Sequence, residues 1–508
     1  MGDTVKTYKE NFIEFMLKQG ALRGRGDFSL KSKRTSPYFV NVGDFNDGES
    51  SAALGEFYAS AILTSGIEFD LLYGIPEKGN ALAVTTSIAM SKKIKNVPWS
   101  VTRKFPKDYG EASAMKGYGN ARTVKEFIQA TQHLPQAERI KSWVVGRVPQ
   151  NGQAIVQLDD VFTAGDAKYE ARELLQFLGD FKLPLVAIAV DRQEVGTDAS
   201  GKSAIEEYEA KTGTKVVSIV NAIDIYSFLK ENVPVETSYG KIRKEDIDRM
   251  SNYLRVYGTD AARKSIVELD GKLEQKIIGR DRSVIPACDV ETLEQFEELI
   301  KQTADVDGIG GYKIGFELGL GYGLPTVVEA ARKHTDKPII YDHQKAGTDI
   351  PDTGKNFARV CKKSGVDAVI LFPQAGPETE RAWIYHALDN GLKVIVGGRM
   401  THPAYAVSEG GFITDEGALD MYRIAARAGI NNFVVPGNKP DVIKQVRELV
   451  EAEGVSSIFY APGFIAQGGN ISDATKVAGD KFHGIVGRGI YQAKDMHAAA
   501  VEHTSQLR

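Results

Sequence analysis

The sequence predicts an α/β protein of two domains, a doubly wound parallel sheet followed by a (β/α)8 TIM barrel. Three observations carry this expectation. Short apolar runs alternate with amphipathic stretches along the chain, the pattern of parallel strands joined by covering helices. The second half holds eight such runs at near-even spacing, and eight strand–helix units in about 215 residues suit a closed barrel. A chain of 508 residues is long enough for two large α/β domains.

In the first half, strands are expected at 70–75, 96–102, 153–160, 184–191 and 215–219, with helical periodicity near 4–19, 51–65, 79–93, 164–178 and 203–212. These elements form one sheet ending near residue 231, so the first domain is read as 1–231. Residues 232–243 mix Pro, Ser, Gly and charge and read as a linker, and 244–277 as charged connecting helices. The barrel is read as 278–508, with strands at 282–290, 308–315, 337–342, 367–372, 392–397, 430–436, 456–461 and 482–488. Residues 110–152 fit no element, and no repeat of 20–50 residues is present.

Lys plus Arg is 63 and Asp plus Glu 67, a net charge of −4. Such balance argues against a nucleic-acid partner or a polybasic membrane surface. Hydrophobic content of 42% with 26% charge describes a core-forming chain, and 51 glycines suggest tight loops at backbone-lined sites. Cys288 and Cys361 are too few for a disulfide framework or a CxxC zinc site, and read as buried thiols in a reducing compartment. No apolar run approaches the ~18 residues of a membrane span. MGDTVKTYKE shows no signal-peptide core and lacks the Ser or Thr at position 6 of a myristoylation signal. A cytoplasmic enzyme is expected.

The sharpest local signal is IVQLDDVFTAGDA at 155–167. An apolar strand ends in Asp159 and Asp160, a loop of small residues (Thr163, Ala164, Gly165) follows, and then a helix begins. Small residues let consecutive backbone N–H groups face one anion, and the helix adds its positive end. The two carboxylates can bind ribose hydroxyls. This segment resembles the phosphoribosyl-pyrophosphate motif of type I phosphoribosyltransferases.

Four more segments, in family order, resemble orotate phosphoribosyltransferases. LKSKRTSPYFVNVGDF at 30–45, with Lys31 and Phe39, is similar to the orotate-binding stretch, and YGIPEKGNALA at 73–83, with Lys78, to the pyrophosphate loop. RKFPKDYGE at 103–111 is similar to the flexible catalytic loop, with Arg103, Lys104 and Lys107, and DRQE at 191–194 is similar to the segment whose arginine, here Arg192, the family places against the orotate carboxylate. The resemblance implies that Lys31, Lys78, Arg103, Lys104 and Lys107 stabilise the leaving pyrophosphate with a bridging Mg²⁺. Asp166 and Tyr109 depart from the family pattern, which usually has a small residue or Thr, and often His, at those places.

In the second half, charged residues cluster where barrel strands end, the catalytic face of such folds. Asp289 closes the first run, Lys313 lies in the second, and Asp342, Lys345 and Asp349 follow the third in YDHQKAGTDIP. Lysines interleaved with carboxylates form a network that keeps a lysine protonated and oriented. This half resembles orotidine 5′-phosphate decarboxylase, whose Lys–Asp–Lys–Asp array falls on Lys313, Asp342, Lys345 and Asp349. The family form D-x-K-x-x-D-I-P is here D-x-x-K-x-x-x-D-I-P; a bulge at the strand end would restore the side-chain directions, and without one Lys345 would face the wrong way. RMTHPA at 399–404 is similar to the pyrimidine loop, through Thr401. APGFIAQGGN at 461–470, with Gln467 and Gly468, and VGRGIY at 486–491, with Arg488, are similar to the phosphate loops. His343 and His402 read as hydrogen-bonded neighbours of the site, since no HxH or HExxH spacing occurs.

Joined, the resemblances imply two consecutive steps of pyrimidine biosynthesis. Orotate and phosphoribosyl pyrophosphate give orotidine 5′-phosphate, which is decarboxylated to uridine 5′-monophosphate (UMP) with Lys345 as proton donor. No cofactor is implied for the second step, and Asp349 of a homodimer, or of a larger homo-oligomer, reaches across to the partner. Two other readings stay open: one half is a degenerate sensing or assembly domain, or the barrel is a Mg²⁺-dependent relative of hexulose-phosphate synthases.

Overall fold

The computed structural model describes residues 7–103, 123–162, 165–346, 349–464 and 471–507. The chain divides into two compact units, 1–196 with 201–251, and 197–200 with 252–508. No helix among the described residues is long and apolar enough to cross a membrane.

The first unit is built on six strands: β1 (Leu71–Gly74), β2 (Trp99–Thr102), β3 (Val144–Gly146), β4 (Ala154–Leu158), β5 (Lys182–Asp191) and β6 (Lys215–Asn221). Their order is β6-β5-β4-β1-β2-β3. All pairs are parallel except β2 with β3. Leu71, Ile155, Val156 and residues 185–190 are buried, as parallel strands covered on both faces require. The chain passes from β1 outward through β2 and β3, then returns to β4 on the other side of β1. Adjacent loops therefore diverge beyond Gly74 and Leu158, which are register partners. Such a switch point opens a crevice at the carboxyl edge.

Two expectations are corrected here. In the stretch 110–152, which the sequence left unassigned, the described residues 123–152 contain the helices Val124–Thr131 and Gln136–Trp143 and the antiparallel edge strand β3. Phe127, Ile140 and Trp143 pack into the core with Leu71, Ile155 and Leu174. A three-residue strand is too short to show an alternation pattern, which hid β3 in the sequence. Residues 232–243, read as a linker, form a hairpin of Val235–Thr237 with Gly240–Ile242. Ile242 is buried, and the Arg23 guanidinium lies 4.3 Å from the Tyr239 ring centroid. Glycine and proline mark a tight turn as readily as a tether.

The second unit is a closed parallel barrel of β7 (Arg282–Cys288), β8 (Tyr312–Ile314), β9 (Ile339–Ala346), β10 (Ala368–Leu371), β11 (Lys393–Gly397), β12 (Asn432–Val434), β13 (Ile458–Ala461) and β14 (Phe482–Val486). All eight expected runs supply a strand. Inward-facing Ile285, Ile340, Ile370, Ile395 and Ile485 fill the interior. The 308–315 run shortens to three residues because Gly308, Gly310 and Gly311 precede β8. β9 carries the expected irregularity: Tyr341 pairs with Val369, but Ala346 pairs with Leu371. Five residues of one strand oppose two of its neighbour, and Lys345 lies inside that offset. Connecting residues 252–257 belong to this unit, where Tyr253 and Tyr257 pack on Tyr385 at 5.5 and 6.0 Å.

Candidate active site

In the first unit, Asp159 and Asp160 follow β4 at the switch point. The Lys78 ammonium pairs with Asp160, and Lys168 with Asp159. Lys168 also donates to the Val161 carbonyl. Burial raises the Asp159 carboxyl above its ordinary range, against the pull of Lys168. Tyr58 fixes the turn by donating to the Asp159 carbonyl at 2.7 Å. The loop carrying Lys78 comes this close because it holds glycines. A Cβ on Gly79 would stand 2.2 Å from the Leu158 carbonyl oxygen, closer than any side chain tolerates. A cavity of about 200 Å³ adjoins Lys78 and Asp160, walled by Val42, Phe45, Leu54 and Leu82.

After the turn, Gly165 adopts φ 84° and the helix Asp166–Leu178 begins. Asp166 is exposed in the first turn, where a carboxylate complements the positive helix end. Just after β5, on the side of β4 away from β1, Arg192 donates to Glu194 at 2.7 Å and to Ser36 Oγ at 2.9 Å, and its guanidinium lies 4.2 Å from the Tyr38 ring centroid.

In the second unit, a cavity of about 280 Å³ opens at the carboxyl ends of the barrel strands. Asp289, Lys313, Asp342, Thr401 and Arg488 all line it. Lys313 Nζ lies 3.3 Å from Asp289 Oδ1 and 3.5 Å from Asp342 Oδ2. Burial opposes the ammonium, but Asp342 and then Asp289 outweigh it and lift its pKa above the ordinary lysine value. The lysine is therefore a fixed positive charge between two carboxylates. Ile370, Phe372, Val434 and Ile485 give the cavity an apolar wall that strengthens these charges. Arg399, at the end of β11, also lines it, paired with Asp415 at 2.7 Å and Glu409 at 3.6 Å. Its buried Nε has no hydrogen-bond partner among the described residues.

Over 240 residues the chain is 38% identical to the orotate phosphoribosyltransferase of Salmonella newport (strain SL254), covering 47% of this chain and 96% of that protein. The chain belongs to the orotate phosphoribosyltransferase family. The enzyme of Salmonella typhimurium (strain LT2) matches with the same figures. Residues 282–502, nearly the whole barrel, match the family described as Orotidine 5′-phosphate decarboxylase / HUMPS. Among solved structures, an orotate phosphoribosyltransferase from Francisella tularensis is 29% identical, covers 49% of this chain and all of that chain, and has a TM-score of 0.38. An orotidine 5′-monophosphate decarboxylase from Methanocaldococcus jannaschii, complexed with the inhibitor BMP, is 25% identical, covers 45% of this chain and all of that chain, and has a TM-score of 0.40.

Within the phosphoribosyltransferase unit, Lys78 and Asp160 meet at one cavity, while Asp159 pairs with Lys168 and Gly165 opens the following helix. Lys31 is exposed at the turn between the short strands Phe28–Ser29 and Thr35–Ser36. Phe39 stacks on Phe28 at 5.7 Å. Arg103 donates to the carbonyls of Ser142 and Val144 at 3.3 and 3.2 Å, which tethers the root of the expected loop to β3. Lys104, Lys107, Tyr109, Thr163, Ala164, Gln467 and Gly468 lie outside the described residues, and so does the side chain of Lys345.

In the barrel, Asp349 is exposed and does not line the cavity; its carboxylate accepts from the Ile350 N–H at 2.7 Å. His343 bonds the Tyr341 hydroxyl, and His402 Nδ1 lies 2.9 Å from the Pro403 carbonyl oxygen. Cys288 and Cys361 are free and buried. Sequence reasoning overlooked Arg399 and Lys168. Arg399 obeys the rule that singled out Asp289, a charge at the carboxyl end of a barrel strand. Lys168 had no such signal, because a lone lysine on a helix reads as a solvated charge.

Proposed function

We propose that this chain makes UMP in two steps, the first unit forming orotidine 5′-phosphate from orotate and phosphoribosyl pyrophosphate and the barrel removing its C6 carboxylate. The reading is carried by the pairing of the two matches in one chain. The first family's name gives phosphoribosyl transfer to orotate, and the orotidine 5′-phosphate that such a transfer forms is the substrate named by the second. The barrel's family description also covers HUMPS enzymes, and the join to a transferase that supplies orotidine 5′-phosphate favours decarboxylation.

In the first step pyrophosphate leaves C1′ and positive charge develops on the ribose. Asp159 and Asp160 face the ribose hydroxyls, and the helix behind Gly165, with Thr163 and Ala164, receives the 5′-phosphate. Lys78, Lys31, Arg103, Lys104 and Lys107 hold the pyrophosphate. Arg192 and Phe39 position orotate. Carboxylate oxygens suit Mg²⁺, but both carboxylates already engage lysines, and among the described residues no three acidic, His or Cys side chains converge as a metal cage. Asp159 and Asp160 would meet a Mg²⁺ that arrives with phosphoribosyl pyrophosphate, and the ion would offset charge on the leaving group.

In the second step the C6 carbanion is stabilised by preorganised charge, with no cofactor. Asp342 stands beside the departing carboxylate, and Lys313, held by Asp289 and Asp342, keeps that charge array in place. Lys345 protonates C6. Thr401 contacts the pyrimidine, and Arg488, Gln467 and Gly468 grip the phosphate, whose remote binding energy is used at the reacting carbon. Exposed Asp349 completes the site of a second copy in a homodimer. Buried free thiols and soluble substrates suit the cytoplasm.

The test is incubation of the full chain with orotate, phosphoribosyl pyrophosphate and Mg²⁺, following orotidine 5′-phosphate and UMP separately. Both must form in sequence. Accumulation of the first without the second removes the decarboxylase assignment, and failure of the first removes the transferase.

A further inference from the structure

The barrel has a second built cavity at its opposite, amino-terminal end. It measures about 240 Å³ and lies under the segment 272–281 that crosses this mouth. That segment is pinned. Gln275 is buried, its side-chain oxygen accepts from the Val394 N–H at 3.0 Å, and its carbonyl accepts from Asn432 Nδ2 at 2.8 Å. The cavity floor includes His483, 2% exposed, whose Nδ1 lies 2.8 Å from Ser283 Oγ. Its Nε2 has no hydrogen-bond partner among the described residues. Asn431 adds a buried side-chain oxygen that is likewise unpartnered among them.

Lys272, Lys276, Arg280 and Lys481 surround this floor, against Glu274 and Asp281. Arg280 pairs with Asp307 at 3.0 Å, and the three lysines make no ion pair among the described residues. Burial, then Arg280 and Lys276, depress the His483 pKa to about 3, so the imidazole stays neutral and adds a hydrogen-bonding group without a charge of its own. Clustered cations repel one another, and the amino-terminal face of a barrel has no catalytic need for them. A bound anion removes that cost.

We infer that this mouth is a second anion site, which takes the phosphate group of free phosphate or of a nucleoside 5′-phosphate between Lys276, Lys481 and Arg280, over the His483 imidazole. With Ser283 donating to Nδ1, the Nε2–H is the donor that meets the phosphate. The site is separate from the Lys313 cavity and stands whether or not the barrel decarboxylates.

The experiment uses the full chain with histidine labelled at the imidazole carbon, the His483 signal being assigned by its loss in His483→Gln. Inorganic phosphate, UMP and uridine are titrated in turn. The expected result is a saturable shift with phosphate or UMP and none with uridine, and a midpoint weakened about tenfold or more in Lys276→Gln/Lys481→Gln, the loss of one to two charge-assisted contacts. Equal midpoints for phosphate and UMP identify free phosphate as the ligand, and a far lower midpoint for UMP identifies the nucleotide. A His483 signal unmoved by both, a shift with uridine, or an unchanged midpoint in the double variant overturns the site. Decarboxylation by the double variant stays unchanged, which separates this outcome from failure of the catalytic reading.

Discussion

Lys313 Nζ stands 3.5 Å from Asp342 Oδ2 on the neighbouring barrel strand, and both side chains are buried. Removing one partner of a buried pair leaves the other charge unmet, at a cost of about 3–5 kcal/mol. Lys313→Met is expected to lower barrel stability by roughly that amount, read in chemical denaturation. It also stops UMP formation while orotidine 5′-phosphate still accumulates. Asp342→Asn, which keeps the shape and removes the charge, retains more stability but loses decarboxylation by at least ~100-fold.

Arg399 joins the cavity to the loop that carries Thr401, through Asp415 and Glu409. Glu409 is further held by Lys439 at 2.5 Å, and Asp415 accepts from the Ser408 hydroxyl at 2.6 Å. Arg399→Gln releases the loop. KM for orotidine 5′-phosphate is expected to rise by about tenfold or more, with Arg399→Lys recovering part of the loss, in steady-state assays of the second step alone.

Gly79 has no room for a side chain beside the Leu158 carbonyl. Gly79→Ala forces the Lys78 loop away from β4, at a cost of about 1–3 kcal/mol. Transferase activity falls sharply and decarboxylation of added orotidine 5′-phosphate is unaffected.

Half-buried Asp191 and buried His483 give the units opposite responses to acid. Burial raises Asp191 to a pKa of about 6. Between about pH 4 and 6 the folded first unit binds more protons than the unfolded chain, so its stability falls as pH rises, by up to about 3 kcal/mol. Asp191→Asn escapes this penalty and is more stable than the parent at pH 7.5, with no advantage near pH 3.5. His483, depressed to about 3 chiefly by burial, works the other way. Below about pH 6.5 the unfolded chain takes a proton that the folded barrel refuses, so barrel stability falls as pH drops towards 3. His483→Gln flattens that slope. Denaturant midpoints across pH measure both.

The hairpin at Val235–Ile242 belongs to the first unit, through Tyr239 on Arg23 and the buried Ile242. Arg249 extends the attachment by donating to Asp27 at 2.6 Å. A fragment ending at 231 loses these contacts and is expected to unfold at lower denaturant than one ending at 251. Intrinsic fluorescence during denaturation compares the two.

The strands were legible because each buried strand is a short apolar run bounded by turn residues; eight of them at even spacing suit a barrel, but periodicity does not separate a barrel from an open sheet, and closure is a finding of the structure. Asp289, Lys313 and Asp342 were legible for a related reason, since charge at the carboxyl end of a buried strand has no packing purpose. The additional residues around Lys345 were read as a bulge, and the offset between β9 and β10 contains one. The edge strand β3 and the hairpin were hidden, because elements of three residues carry too little periodicity to stand out from loops.

By itself the sequence determined two α/β halves, their order, the paired carboxylates and small-residue turn after β4 and the alternating lysines and carboxylates of the barrel, all of which are local patterns written in consecutive residues. Only the tertiary structure decided that Tyr58 reaches the Asp159 carbonyl and that Lys276, Arg280, Lys481 and His483 share one mouth. Those meetings join residues up to some two hundred positions apart. They follow from strand register and barrel closure, which depend on the packing of the whole chain and leave no mark on any short stretch of it.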